Sequence, residues 1–95
     1  VPQQILAMLS RQIQMLIQVK ELKKARRPIA EIQTRLGIFS SFVWDKLSAR
    51  SEKYTMDKLI LIYQSLLQTD LAIKTGKLEG DLAVNILVAD LCERA

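Results

Sequence analysis

The stretch Asp70-Leu71-Ala72-Ile73-Lys74-Thr75-Gly76 closes a long apolar helix and carries the strongest structural signals of the chain. At 100° per residue from Met56, the helix has an apolar stripe formed by Leu59, Tyr63, Leu66, Leu67 and Ile73. Asp70 and Lys74 fall within this stripe, four residues apart, in the acid-before-base order that favours a helical ion pair. Gly76 stands where a left-handed helix cap is expected.

Two interpretations of Asp70 and Lys74 remain open. The first is a local pair at a helix end, and the spacing alone favours it. The second is a positioning role, in which one or both side chains reach a backbone group or a partner helix. It follows from the cost of placing charges on an apolar seam, which is high unless their partners are fixed.

The remaining sequence predicts a compact all-α bundle of about five helices and no strand. Proline at a first turn, serine or threonine at an N-cap and glycine after a last turn mark the helix ends. The predicted helices are Gln3 to Ala25, Pro28 to Gly37, Ser40 or Ser41 to about Glu52, Thr55 to Gly76, and Glu79 to Arg94. The connections are short, and no linker or internal repeat divides them.

Three segments resemble the C-terminal domain of the delta subunit of bacterial DNA polymerase III, a clamp-loader component. They are LSRQIQML at residues 9–16 continuing into VKEL at 19–22, IAEIQTRLG at residues 29–37, and TDLAIKTG at residues 69–76. The third segment is the most specific. Their order and spacing cover nearly the whole chain.

This resemblance implies a structural assembly domain, one member of a collar of helical domains in an asymmetric ring of clamp-loader subunits. Its partners would be the collar domains of the gamma/tau and delta-prime subunits. The sliding clamp and primed template DNA would be met through the full complex. The parent subunit would belong to the DNA polymerase III holoenzyme in the cytoplasm, and its ATPase-like module would lie N-terminal to residue 1.

Composition agrees with a single domain without a membrane segment. Ninety-five residues suffice for one core, and the net charge of +4 permits contact with nucleic acid without requiring it. There is no apolar run of 18 residues and no charged leader followed by an apolar region. The single Cys92 fits a reducing compartment. Since the chain opens Val1-Pro2 and enters a helix at once, we expect residues 1–95 to be one domain of a longer chain.

Broad apolar faces on the first and last predicted helices suggest an interaction surface. In the last helix, apolar residues occupy most positions from Leu82 to Cys92. Such a helix is either central in the bundle or packs against another subunit, leaving an apolar patch on the isolated domain. Leu61 and Ala72, on the otherwise polar side of the fourth helix, favour the second interpretation. We therefore predict Asp70, Lys74, Leu61, Leu82 and Ile86 as interface or positioning residues.

The residue types argue against an enzyme. Without histidine, the usual general base near neutral pH is missing, and Cys92 on an apolar helix is expected to be a buried, inert thiol. The sequence lacks Cys/His clusters, calcium-binding loops and phosphate-binding glycine motifs. We predict no catalytic residue, no cofactor and no metal.

The main alternative function is a helix-turn-helix DNA-binding module over Ile29–Arg50, preceded by the basic run Lys20–Arg27. Within that run, Lys23, Lys24, Arg26 and Arg27 are the candidate nucleic-acid contacts. Against this alternative, the second helix begins with bulky apolar groups and a carboxylate, and the basic run also suits a solvated helix end. Trp44 is expected to be a core anchor rather than a base-stacking platform. A third possibility is an adaptor or homodimer that associates through the last helix.

Overall fold

The computed structural model describes residues 2–94, and side chains for residues 3–90. In this part of the chain there are five α-helices and no strand: α1 (Pro2–Lys24), α2 (Ile29–Leu36), α3 (Ser41–Lys53), α4 (Met56–Lys74) and α5 (Gly80–Arg94). The prediction of an all-α five-helix bundle is therefore confirmed. The bounds agree with the predicted ones to within one or two residues, and Pro28 precedes the first turn of α2 instead of lying inside it.

Side-chain caps begin α3, α4 and α5. The hydroxyl of Ser40 accepts from the backbone N–H of Val43 at 3.4 Å, and that of Thr55 accepts from Lys58 N–H at 3.1 Å. Before α5, the Glu79 carboxylate accepts from two backbone N–H groups of the first turn, at 3.1 and 3.2 Å. Each cap gives a partner to a backbone donor that has none within its helix.

Left-handed residues end α1, α2 and α4. Gly37 follows α2 with φ of 70°, and Gly76 follows α4 with φ of 74°, both without the steric cost that a side chain would impose. After α1 the left-handed position is taken by Arg26, with φ of 57°. There the N–H of Arg27 donates to the Leu22 carbonyl at 3.1 Å, and that of Arg26 to the Lys23 carbonyl at 3.0 Å. These two bonds form a Schellman motif.

Two apolar clusters along α1 make the core. The first joins the C-terminal half of α1 to α2 and α3, through Val19, Ile32, Ile38 and Trp44. The second joins the N-terminal half of α1 to α4 and α5, through Leu6, Leu66 and Leu87. Because α1 contacts every other helix, it is the central helix of the molecule, which measures 44 × 23 × 20 Å. Trp44 is buried in the first cluster, so its prediction as a core anchor is confirmed.

The last helix, α5, is not central in the bundle. Over its described side chains only Ala83 and Leu87 are buried, whereas Leu82, Ile86 and Val88 remain about half exposed. The interpretation of α5 as a fully enclosed helix is therefore wrong, because among its described side chains packing against α1 and α4 buries only Ala83 and Leu87. The predictions for Leu91 and the thiol of Cys92 lie outside the described side chains.

Candidate functional site

Exposed apolar side chains lie on both α4 and α5, and the groove between these helices has a mixed polar and apolar lining. Leu61 of α4 and Leu82 and Ile86 of α5 are 51%, 50% and 50% exposed. Ile86 and Ala72 also line an open groove of about 350 Å³ between the two helices. Leu61 and Ala72 share one side of α4 at helical spacing, and Leu82 and Ile86 are one turn apart on α5. We call these four residues the α4–α5 face; it contains three of the predicted interface residues.

A second apolar surface, which the sequence reasoning missed, lies between α1 and α4. Leu67 and Leu71 of α4 are 49% and 61% exposed, and we call them the α1–α4 face; Leu67 lines the groove between α4 and α1 together with Ala7 and Ser10. Ile5 and Met8 of α1 are also exposed, at 42% and 53%, but at 100° per residue they lie on sides of α1 away from Ala7 and Ser10. Leu67 was expected in the buried stripe of α4 but is half exposed, because α1 covers a narrower part of that helix than its pattern suggests.

The Asp70–Lys74 pair lies at the edge of the second surface. Lys74 Nζ is 2.7 Å from Asp70 Oδ2, and the side chains are 62% and 30% exposed, respectively. Both residues border an open groove of about 410 Å³ between α1 and α4. Among the described residues neither side chain bonds to another helix, so the contact that forms is the local pair. An exposed pair of this type contributes only a few tenths of a kcal/mol.

The basic run divides into internal and exposed cations. Lys23, a candidate nucleic-acid contact, is directed into the domain: its Nζ donates to the Ser48 hydroxyl and lies 3.3 Å from Glu52 Oε1. It also lies 5.8 Å from the centroid of the Trp44 ring. Lys23 thus ties α1 to α3.

Lys20 forms a second tie between the same helices. Its Nζ donates to the backbone carbonyl of Ser51 at 2.7 Å. That carbonyl is among the last four of α3, which have no intrahelical donor. A lysine one turn before Lys23 therefore caps the C-terminal end of α3, a role that only the tertiary structure reveals.

The other cations of the run point to solvent. Arg27 lies 3.9 Å from Glu31 Oε1, and Arg35 shares the same carboxylate at 3.0 Å. Lys24 and Arg26 are exposed and form no ion pair within residues 3–90. Lys24 and Arg26 are therefore the residues of the run whose charge stays available to a partner.

The proposed helix-turn-helix segment folds as α2 and α3, but its exposed groups differ from those of a base-reading helix. Phe39 is 86% exposed between the helices, and Phe42 is 65% exposed in the first turn of α3. Farther along α3, exposed cations face solvent on the same side as Phe42. Base-edge recognition in the major groove relies on arginine, asparagine or glutamine side chains, whereas this helix begins with aromatic and aliphatic ones.

The described residues contain no group of three or more His, Cys, Asp and Glu side chains placed to hold a metal ion. In the same part of the chain, none of the helices has the length and apolarity needed to cross a membrane. Among the described residues, the exposed groups include half-exposed apolar side chains on α4 and α5 and several cations.

Comparison with protein-family models identifies the family of the chain. Residues 1–91 match the family model described as DNA polymerase III delta subunit, C-terminal domain. Searches among curated proteins and among solved structures found no match.

Proposed function

The chain belongs to the family of C-terminal domains of the DNA polymerase III delta subunit, and we propose that it is the collar domain of a clamp loader. In this role it packs against the collar domains of the gamma/tau and delta-prime subunits. The assembled cytoplasmic complex then loads the sliding clamp onto primed DNA. The contribution of this domain is structural, since its exposed groups suit contact rather than bond chemistry.

The observation that carries the proposal is the presence of half-exposed apolar side chains on two different sides of α4. Leu61 of the α4–α5 face and Leu67 of the α1–α4 face are about 120° apart round α4 at 3.6 residues per turn. Single apolar residues on a surface are ordinary, whereas clustered ones mark interaction sites. A subunit inside a ring has a neighbour on each side, and two separate faces meet that requirement.

Apolar packing also suits the mechanical task of a collar. Enduring interfaces resemble a sectioned hydrophobic core, and they hold at salt concentrations that weaken contacts between exposed charges. A permanent collar keeps the attached ATPase modules at high effective concentration while they move relative to one another during the nucleotide cycle. The fold thus supplies a fixed platform for mobile modules.

The test is size-exclusion chromatography with light scattering, on this chain alone and mixed with the collar domains of gamma/tau and delta-prime. We expect a hetero-complex that survives 0.5 M salt, where the Debye length is about 4 Å and attraction between exposed charges is largely screened. Leu82→Ser with Ile86→Ser removes the two apolar side chains that α5 contributes to the α4–α5 face. Burial of half of each side chain is worth about 1 kcal/mol, so the double variant should weaken assembly about 30-fold.

Val88→Ser is the matched control, because Val88 is 48% exposed on the same helix but nearly opposite to Ile86. It should leave assembly close to that of the unchanged chain. A chain that stays monomeric with both partners would contradict the proposal. Equal weakening by the control and by the double variant would contradict the assignment of the α4–α5 face.

A further inference from the structure

The outer face of α3 combines aromatic and basic side chains. Phe42, Lys46, Arg50 and Lys53 follow one another at spacings of four, four and three residues, so they form a line along one side of the helix. All four are exposed, Phe42 to 65%, and Arg50 also borders an open groove formed with α1 and α4. Phe39, 86% exposed, precedes the helix at the same end. We call the four residues of the helix the α3 outer face; collar assembly through α1, α4 and α5 leaves it unused.

The charge of this face is not neutralised within the domain. In residues 3–90, none of Lys46, Arg50 and Lys53 forms an ion pair with a carboxylate. Glu52, an acidic residue of α3, pairs instead with Lys23 on the inner side of the helix. The three cations extend over about two turns of α3 and therefore present a positively charged strip to solvent.

The aromatic part of the face is already arranged for stacking. Lys46 Nζ lies 4.6 Å from the centroid of the Phe42 ring, a cation–π contact that holds the ring beside a positive charge. Most of the ring surface remains open to solvent. An exposed aromatic ring next to unpaired cations is the combination with which proteins bind single-stranded nucleic acid: bases stack on rings, and phosphates contact cations.

We propose that the α3 outer face binds single-stranded DNA. The phosphates of the strand contact Lys46, Arg50 and Lys53, and an unpaired base stacks on Phe42, with Phe39 as a second ring at the same end. A single strand is favoured over a duplex because duplex bases are already stacked on each other and leave the rings without a partner.

This binding does not depend on collar assembly, so it is measured on the chain alone. The probes are a fluorescein-labelled 15-nucleotide oligo-dT and a duplex of the same length, and the readout is fluorescence anisotropy at 25 to 200 mM NaCl. We expect binding of the single strand, weaker binding of the duplex, and a slope of log K against log salt near −2. That slope corresponds to about three phosphate contacts at about 0.7 each.

Three variants locate the site. Arg50→Gln with Lys53→Gln should lower the affinity and reduce the salt slope by more than one. Phe42→Leu, which keeps an apolar side chain, should lower the affinity about fivefold or more through loss of stacking. Lys24→Gln with Arg26→Gln removes the same charge from the end of α1 and the turn after it, and should have a smaller effect than the α3 pair. All five side chains are exposed, and circular dichroism verifies that each variant is folded.

Several outcomes would overturn the proposal. These are no anisotropy change with oligo-dT at 25 mM NaCl, equal affinity for duplex, or a Phe42→Leu variant that binds as the unchanged chain does. A larger effect of the Lys24/Arg26 pair than of the Arg50/Lys53 pair would move the contact to the α1–α2 turn and refute the α3 assignment.

Discussion

The left-handed conformation of Arg26 predicts a stabilising substitution. Arg26 has φ of 57°, which glycine adopts readily and other L-residues at a steric cost. Its side chain is exposed and has no ion pair within the described residues, so little is lost with it. Gly37 and Gly76 already occupy the equivalent positions after α2 and α4, with φ of 70° and 74°. Arg26→Gly should therefore stabilise the domain.

The size of the gain follows from three opposing contributions. Relief of the left-handed strain is worth about 1–2 kcal/mol. The greater freedom of glycine in the unfolded chain offsets about 0.5–1 kcal/mol of this. Loss of a cation near the end of α1 offsets about 0.3 kcal/mol more at an exposed site. The Arg26→Gly variant is therefore expected to be about 0.5 kcal/mol more stable than the unchanged chain. It should be about 1 kcal/mol more stable than Arg26→Ala, because alanine also lacks the charge but keeps the Cβ that causes the strain.

The assay is urea unfolding followed by circular dichroism, on the unchanged chain, Arg26→Gly and Arg26→Ala. The Gly variant should exceed the Ala variant by about 1 kcal/mol, or about 4–8 °C in Tm for a domain of this size. Gly76→Ala is the converse substitution and should destabilise by a similar amount, about 1 kcal/mol. Equal stability of Arg26→Gly and Arg26→Ala would refute the reasoning, because it would mean that the turn relaxes without strain.

Three further substitutions test other parts of the structure. Lys20→Met should lower the free energy of unfolding by about 1–2 kcal/mol in urea titrations, because the part-buried Ser51 carbonyl near the end of α3 loses its donor. Lys24→Met, the matched control at an exposed site, should change the free energy of unfolding by less than about 0.5 kcal/mol. Lys74→Ala should cost only about 0.3 kcal/mol, and a loss above about 1 kcal/mol in thermal unfolding would reveal a role beyond the local pair. Leu87→Ala should destabilise by about 3 kcal/mol, whereas Ile86→Ala, one residue earlier but exposed, should cost less than about 1 kcal/mol by the same measurement.

Local signals explain why the helix ends could be predicted from the sequence. Ser40, Thr55, Gly37 and Gly76 act on backbone groups within three or four residues, so their effect does not depend on the rest of the fold. The end of α1 is the exception. Arg26 carries no turn signal of its own, and its left-handed conformation follows from the two Schellman hydrogen bonds together with the start of α2 at Pro28.

The use of individual side chains was harder to predict, because it depends on which helices meet. Lys20 and Lys23 look like part of an exposed basic run, and only the approach of α3 gives them Ser51, Ser48 and Glu52 as partners. Leu67 lies on the apolar stripe of α4, yet the stripe is wider than the surface that α1 covers. Periodicity gives the direction of an apolar face, whereas its buried width depends on the neighbouring helices.

The position of α5 links the stability of the domain to its proposed assembly. A helix of 15 residues is marginal in water by itself, so its order depends on the contacts it makes. Ala83 and Leu87 anchor it to the core, while Leu82 and Ile86 stay about half exposed on another side. A partner that covers Leu82 and Ile86 binds only the folded helix and therefore stabilises it by mass action. Folding and assembly thus use different residues of one helix, which is why substitutions at Leu87 and Ile86 can separate the two.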